Sequence, residues 1–370
     1  MYQESTSGQQ LRQLRERSGL SLSALAGRTH YSIGYLSRVE TGERALTADV
    51  RAAYARALGM SALDSDPLRV AHEWLVSDTP QTVESRAGRR IGRSLVEQLE
   101  RRVIELRYLD DEIAGKDLAP IVVKELHDSI ALANEASYSE ANGRRLLTSV
   151  GELSQLAGWV ASDAGQHRQA QRFYLGGVDA ATTAGDRGLA GNLLSSLSYQ
   201  MSNTGESRNA LLLARTAAKG AYDAAPVVRA LLWERVAWAA AKSGDAVTAA
   251  RVLDAVDDIF ESRSPGDEEP EWTYWLSRDE VDTMRARCAV ELGRPDEAET
   301  LLTPVLARYP ETSKRESALY WSWLSEAFAR AGDTDRATET LDTVKDFARL
   351  VNSQRVDDRI EAVERLLTKN

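Results

Sequence analysis

The sequence predicts an all-α protein in two unlike parts: a small head of short capped helices, then a long solenoid of stacked helical hairpins. Three observations carry this. Apolar residues recur with helical spacing through most of the chain, and proline is scarce, with 9 in 370 residues. The first 60 residues divide into four short apolar-periodic segments separated by Gly, Ser and Thr, the punctuation of helix ends. Beyond residue 145 one helix–glycine–helix pattern returns five times.

In the head, "GQQLRQLRERSG" sets Leu11 and Leu14 on one face and ends at Gly19. Ser21 suits the N-cap of the next segment, where Leu22 and Leu25 share a face. Ser32 suits the cap of "IGYLSRVE", whose Ile33, Leu36 and Val39 fall at three-residue steps before Gly42 stops the run. A fourth stripe joins Leu46, Val50, Tyr54 and Leu58 and stops at Gly59. The second and third segments have the spacing of a helix-turn-helix. Taken alone, the third would be a solvated amphipathic helix, and its neighbours decide against that.

The stretch "LRQLRERSGLSLSALAGRTHYSIGYLSRVETGERALTADVRAAYARALG" resembles the phage Cro/repressor-type (XRE) helix-turn-helix at every helix junction, over about 50 residues. The resemblance implies that Arg15 and Glu40 form an internal ion pair that ties the helices and helps place a phosphate contact. It implies that Ser21, the cap of the second helix, meets a phosphate. Ser32, Ile33, Gly34, Ser37 and Arg38 match the exposed face of the recognition helix. Arg38 is the best base reader among them, because its planar fork fits guanine O6 and N7. Ile33 suits a thymine methyl, and Arg44 a backbone contact. Tyr35 and Leu36 are read as core, and His30 as a plain surface residue. Where relatives often place Gln at the first turn of the second helix, this chain has Leu22, so recognition rests on fewer polar side chains.

Charge divides the same way. Residues 1–60 carry eight basic and five acidic side chains, while the whole chain is at −10. A basic head on an acidic body suits a DNA reader joined to something that is not one. No apolar run approaches the ~20 residues of a membrane helix, and the N-terminus has no apolar secretion core. Cys288 is the only cysteine and there are 4 histidines, so a disulfide within the chain is excluded and a Cys/His metal site is not expected. We expect no cofactor, no membrane, and a cytoplasmic, nucleoid-associated protein.

The head is expected to span residues 8–76, including a short helix capped by Asp66 and Pro67 that buries Leu68, Val70, Trp74 and Leu75. Residues 77–90 read as a polar linker. In the connecting segment 91–145, Ile91, Leu95, Leu99, Val103, Leu106 and Leu109 have heptad-like spacing. That spacing fits either a dimer helix or a helix packed on the following domain. Arg86, Arg89, Arg90 and Arg93 form a basic cluster, read as solvated linker.

In the body, 146–368, the five repeats carry turn glycines at 165, 205, 244, 293 and 332, spaced 40, 39, 49 and 39 residues apart. Five residues after each glycine stands alanine (170, 210, 249, 298, 337). Seven before each stands Gly158, Ser198, Ala237, Ala286 or Ser325. Small residues at fixed points let two helices approach closely. The pattern resembles the tetratricopeptide repeat with a longer period, so the expected architecture is an N-terminal helix-turn-helix domain followed by an α-helical-hairpin, tetratricopeptide-like solenoid. "SQRVDDRIEAVERLL" reads as a capping helix, and Cys288 as buried packing.

The first helix of each pair lines the hollow side of such a solenoid. The register places Trp159, Tyr199, Trp238, Arg287 and Glu326 inward, with Glu152, Gln155, Asn192, Ser195, Glu234, Glu280 and Thr283 nearby. This set suits a groove for a peptide or flat small molecule, with the acids favouring a cationic group; alternatively the aromatics fill a tightly wound interior. "SPGDEEPEWTYW", 264–275, accounts for the long spacing as a lid or an outer loop, with Trp321 and Trp323 one repeat later as its possible contacts. No catalytic motif is present, and no enzyme is expected. The leading expectation is a transcriptional regulator that binds double-stranded DNA as a homodimer, under a peptide or small-molecule effector. The alternatives are a protein-docking scaffold and an interaction module with a vestigial head.

Overall fold

In the computed structural model the described residues are 8–17, 20–29, 31–44, 46–47, 50, 53–54, 57, 66–77, 90–112, 115–309, 313–351 and 353–368. Gly19, His30, Leu58, Gly59, Arg86, Arg89 and most of the expected linker lie outside them. The chain divides into two compact units, Met1–Asp66 and Pro67–Asn370.

The first unit holds α1 (Gly8–Arg17), α2 (Leu22–Arg28) and α3 (Ile33–Glu40), with a further helical segment carrying Val50, Ala53, Tyr54 and Ala57. Each expected stripe supplies core. Leu11, Leu25, Leu36, Val39, Val50 and Tyr54 form one buried cluster, flanked by Leu20, Leu22, Tyr35 and Leu46. The unit is too small for a large apolar core, so its buried polar contacts weigh heavily.

The second unit begins with α4 (Pro67–Val76), which packs on the helices His167–Ala184 and Ser207–Gly220 of the solenoid. The sequence grouped this helix with the head, out to residue 76. Its packing places it in the second unit, where Trp74 fills a notch at Gly220. A methyl added to Gly220 would lie 2.1 Å from the indole. Arg187 lies over the same indole and donates from Nε to the Gly220 carbonyl at 2.9 Å.

Two long helices follow, α5 (Arg93–Glu112) and α6 (Gly115–Glu135), both packed on α7 (Glu140–Asp163). Of the heptad-like residues, Ile91, Leu99, Val103 and Leu106 are buried in a core shared with Leu118, Val122, Leu146 and Leu153. Leu109 packs against that core and Leu95 is exposed. This stripe therefore packs on the following helices of its own chain, the second of the two uses its spacing allowed.

The solenoid runs as α7 with α8 (His167–Ala184), α9 (Arg187–Asn203) with α10 (Ser207–Gly220), and α11 (Pro226–Lys242) with α12 (Ala246–Glu261). Then come α13 (Arg278–Glu291) with α14 (Pro295–Arg308), α15 (Lys314–Ala331) with α16 (Thr334–Ala348), and α17 (Gln354–Leu367). Every turn glycine has positive φ, from 71° at Gly293 to 95° at Gly205, a region that costs other residues their Cβ clearance. The five alanines that follow are fully buried. In two hairpins the paired small positions are hydrogen-bonded: Ser198 Oγ donates to the Ala210 carbonyl at 2.8 Å, and Ser325 Oγ to the Ala337 carbonyl at 2.7 Å. Cys288 is buried in α13, and burial pushes its thiol up.

The 49-residue spacing is taken up by a loop with one 3-10 turn, Glu271–Thr273. It is clasped to α5. Glu271 meets Arg107 at 2.9 Å, the Tyr274 hydroxyl donates to Asp111, and the Tyr274 ring lies 4.7 Å from that of Tyr108. Arg107 also holds Glu152 at 2.9 Å.

Candidate functional site

The first site is the outer surface of α3. Ser32 Oγ accepts from the Tyr35 amide at 3.3 Å, and Ser21 Oγ from the Ala24 amide at 3.1 Å, so both expected caps are made. Leu36 and Val39 point into the core. That rotation leaves Ser32, Ile33, Gly34 and Arg38 exposed and Ser37 half-buried, as a helix with one apolar stripe must. Ile33 is 48% exposed. Among the described residues the Arg38 guanidinium meets no carboxylate, so it is available to a ligand.

Arg15 stands apart from the other expected contacts. It lies in the interior, 7% exposed, with each of its three guanidinium nitrogens hydrogen-bonded within the domain. Nε and Nη2 bind the two carboxylate oxygens of Glu40 at 2.7 and 2.8 Å, and Nη1 donates to the Leu20 carbonyl at 2.8 Å. The Tyr54 hydroxyl adds a bond to Glu40 Oε1 at 2.9 Å. Burial and Glu40 push the Tyr54 phenol well up. Arg15 therefore positions α1 against α3 and turns its guanidinium to the interior of the domain.

Arg44 is exposed past the end of α3. Its amide donates to the Arg38 carbonyl at 2.9 Å, and its guanidinium lies 4.5 Å from the Tyr35 ring centre. Tyr35 stacks in turn on Tyr31, 5.0 Å between centres. Tyr35 is half-buried and packs against the core as expected, but the shelf it makes under Arg44 escaped the sequence reading. Two tyrosines four positions apart, with an arginine nine positions after the second, were the available signal.

Residues 8–68 match the family model of a helix-turn-helix domain. No curated protein matches the chain. The helix-turn-helix domain points to DNA binding and to a regulatory protein. Among the described residues, no helix is long and apolar enough to cross a membrane.

The second site is the inner line of the solenoid. Trp159, Tyr199 and Trp238 do form a ladder, at 6.1 Å per step, and Trp323 continues it at 5.7 Å. Arg287 sits against it, its guanidinium 4.6 Å from Trp238 and 5.3 Å from both Tyr199 and Trp323. Arg287 Nη2 also donates to the Tyr199 hydroxyl at 2.6 Å. Burial raises the Tyr199 phenol, but Arg287, Arg355 and Arg235 outweigh it and hold the group below its ordinary value. The cationic group that the acidic members were expected to favour is thus supplied within the line by Arg287 itself. The line is also largely filled. Trp238 is 1% exposed and Arg287 is 9% exposed.

The remaining inward candidates are spent locally. Glu280 accepts from the Tyr309 and Tyr320 hydroxyls at 2.9 and 2.5 Å. Burial raises its carboxyl. Glu234 takes Arg235 at 2.8 Å, with Oε1 left unpartnered. Ser195 Oγ donates to the Asn192 carbonyl of its own helix. Thr283 is buried and Gln155 half-buried. Glu326 is held by Arg330 and Arg359, each at 2.6 Å. Two surface hollows lie elsewhere, one beside Asp186, Arg187 and Asp223 and one beside Arg208, Asn209 and Lys242; no ladder residue lines either. Trp323, Arg355 and Arg359 were missed as members of the line. Trp323 lies one helical turn before the register position, and the two arginines come from α17, outside any repeat.

Proposed function

We propose that the protein is a sequence-specific transcriptional regulator of the Cro/repressor type that binds double-stranded DNA through α3. The observation that carries this is the pairing of an exposed Ser32–Ile33–Gly34–Arg38 surface, with Ser37 half-buried beside it, and a buried two-pronged Arg15–Glu40 pair behind it. A helix whose Arg38 guanidinium meets no carboxylate among the described residues suits the major groove, where Arg reads guanine through two parallel hydrogen bonds. Ser21 and Arg44 flank that surface as phosphate contacts. A single small reader binds few bases, so a homodimer on half-sites about one helical turn apart, ~34 Å, is the working form.

The solenoid, tetratricopeptide-like in its small positions and turns, is the sensor in this reading, and its effector is a peptide or small molecule that reaches the aromatic–arginine line. One observation favours a second reading, a docking scaffold without a small ligand. The inner line is already filled, while Leu212, Tyr222 and Val247 stand exposed on or beside α10 and α12. Genome-wide binding of the tagged protein, beside an Arg38→Ala control, tests the DNA reading. Sharp peaks sharing a two-fold motif and lost in the control are expected. Peaks that survive the substitution would remove α3 as the reader.

A further inference from the structure

The last helix does more than a cap requires. A capping helix has to cover the apolar face of the final hairpin, and α17 does so with Val356 and Val363, its two buried apolar residues. It also carries arginines at 355 and 359, one helical turn apart. Each rests on an aromatic face and a carboxylate supplied together by another helix. Arg355 lies 5.3 Å from the Trp159 ring centre and donates from Nη1 to Asp163 at 3.0 Å; both partners belong to α7. Arg359 lies 3.5 Å from the Trp323 ring centre and 2.6 Å from Glu326; both belong to α15. Arg359 Nε and Nη2 also donate to the Ser322 hydroxyl and carbonyl at 3.1 and 3.3 Å.

The two seats share one construction. Trp159 and Asp163 are four residues apart on α7, and Trp323 and Glu326 three apart on α15, so in each the ring and the carboxylate lie on one helix face. A guanidinium is the group that satisfies both at once, stacking flat on the ring while its edge meets the carboxylate. The seats stand on the first and last hairpins, and α17 bridges them.

We infer that these two seats form a docking site for a helix bearing arginines four residues apart, and that α17 is its resident, displaceable occupant. The inference deepens the reading of the solenoid as an effector domain and rests on it: the effector is an arginine-bearing helical peptide that replaces α17. The structure supports displacement because α17 belongs to no hairpin. Its departure breaks none of the five glycine turns, and it surrenders the burial of Val356 and Val363 with the partial burial of Ile360, Ala362, Leu366 and Leu367.

The test uses a labelled synthetic peptide of residues 353–368 and the full-length chain. Fluorescence anisotropy is read on wild type and on R355E/R359E, which unseats α17 and leaves the seats intact. We expect the double variant to bind the peptide at least tenfold more tightly than wild type, and a peptide with both arginines changed to alanine to lose at least tenfold. Hydrogen exchange on the same variant should show α17 deprotected and the hairpins unchanged. Should the hairpins also open, R355A alone serves as the milder variant. Equal binding of the arginine-free peptide would overturn the inference, and so would an α17 that stays protected in the double variant. Peptide binding that leaves DNA affinity unchanged would keep the site and remove the effector reading. Failure of the peptide beside a small molecule that shifts the melting temperature would do the reverse.

Discussion

Arg15 on α1 and Glu40 at the end of α3 meet as a two-pronged ion pair in the interior of the helix-turn-helix domain, with Nε–Oε1 at 2.7 Å and Nη2–Oε2 at 2.8 Å. A buried pair of this kind contributes little beyond what a hydrophobic pair of the same shape would, because both charges lose their water. Removing one partner is another matter, since the other charge is left buried and alone. Glu40→Ala is expected to destabilise the domain by about 3–5 kcal/mol. The loss should appear as faster amide exchange in α1 and α3, with the hairpins of the solenoid unaffected. Undiminished protection in α3 would show that the apolar core alone holds the recognition surface.

Arg38→Ala and Arg44→Ala are expected to differ in kind. Loss of a bidentate base contact costs about 1–3 kcal/mol at the preferred base pair and relaxes the choice there. Loss of a phosphate contact weakens binding to all sequences alike and lowers the salt slope by about one. Titrating both variants against matched and mismatched operators at two salt concentrations separates the roles. A uniform loss for Arg38→Ala would demote it from reader to phosphate contact.

Gly158 on α7 faces the Tyr174 ring of α8, and an added methyl would lie 2.4 to 2.8 Å from three ring carbons. Tyr174 is almost wholly buried and has nowhere to go. Gly158→Ala is therefore expected to cost about 1–3 kcal/mol through overpacking. Tyr174→Phe should not relieve it, because the colliding atoms are ring carbons. Thermal melting of the single and double variants checks this, and a rescue by Phe would place the strain at the hydroxyl instead.

The repeat architecture was legible because backbone geometry leaves few choices: a left-handed turn asks for Gly293 or its equivalents, and close helices ask for Ala298 or Ser198. The recognition surface was legible because the stripe through Leu36 and Val39 fixes which way Arg38 points. Other features rest on partners far along the chain. Trp74 reads as part of the head until Gly220 is seen beneath it. The stripe from Ile91 to Leu109 has a spacing that self-pairing and packing on α7 would share. The sign of charge along the inner line also depends on Arg355 and Arg359, which no repeat register could place there.

Asp110 on α5 is expected to make stability depend on pH near neutrality. Its carboxylate is buried, Oδ1 has no hydrogen-bond partner, and the closest cation is Arg315, at 3.6 Å. Burial raises its pKa to about 7, with the Arg315 charge opposing and the Asp163 charge adding to the rise. A carboxyl whose pKa is higher folded than unfolded, where it is about 3.9, favours the folded state below that lower value. The advantage is lost as pH climbs through about 7, at up to roughly 1.4 kcal/mol per pH unit across the window. Glu152 and Glu280 are raised in the same direction, so the wild-type curve alone does not isolate Asp110. Asp110→Asn does. It removes the charge while Arg315 keeps Glu316 at 3.0 Å. Urea unfolding between pH 5 and 8 should show wild type losing stability with rising pH and the variant losing less, so that the variant is the more stable of the two at pH 8. A variant curve parallel to wild type would mean that Asp110 stays ionised throughout, held by Arg315.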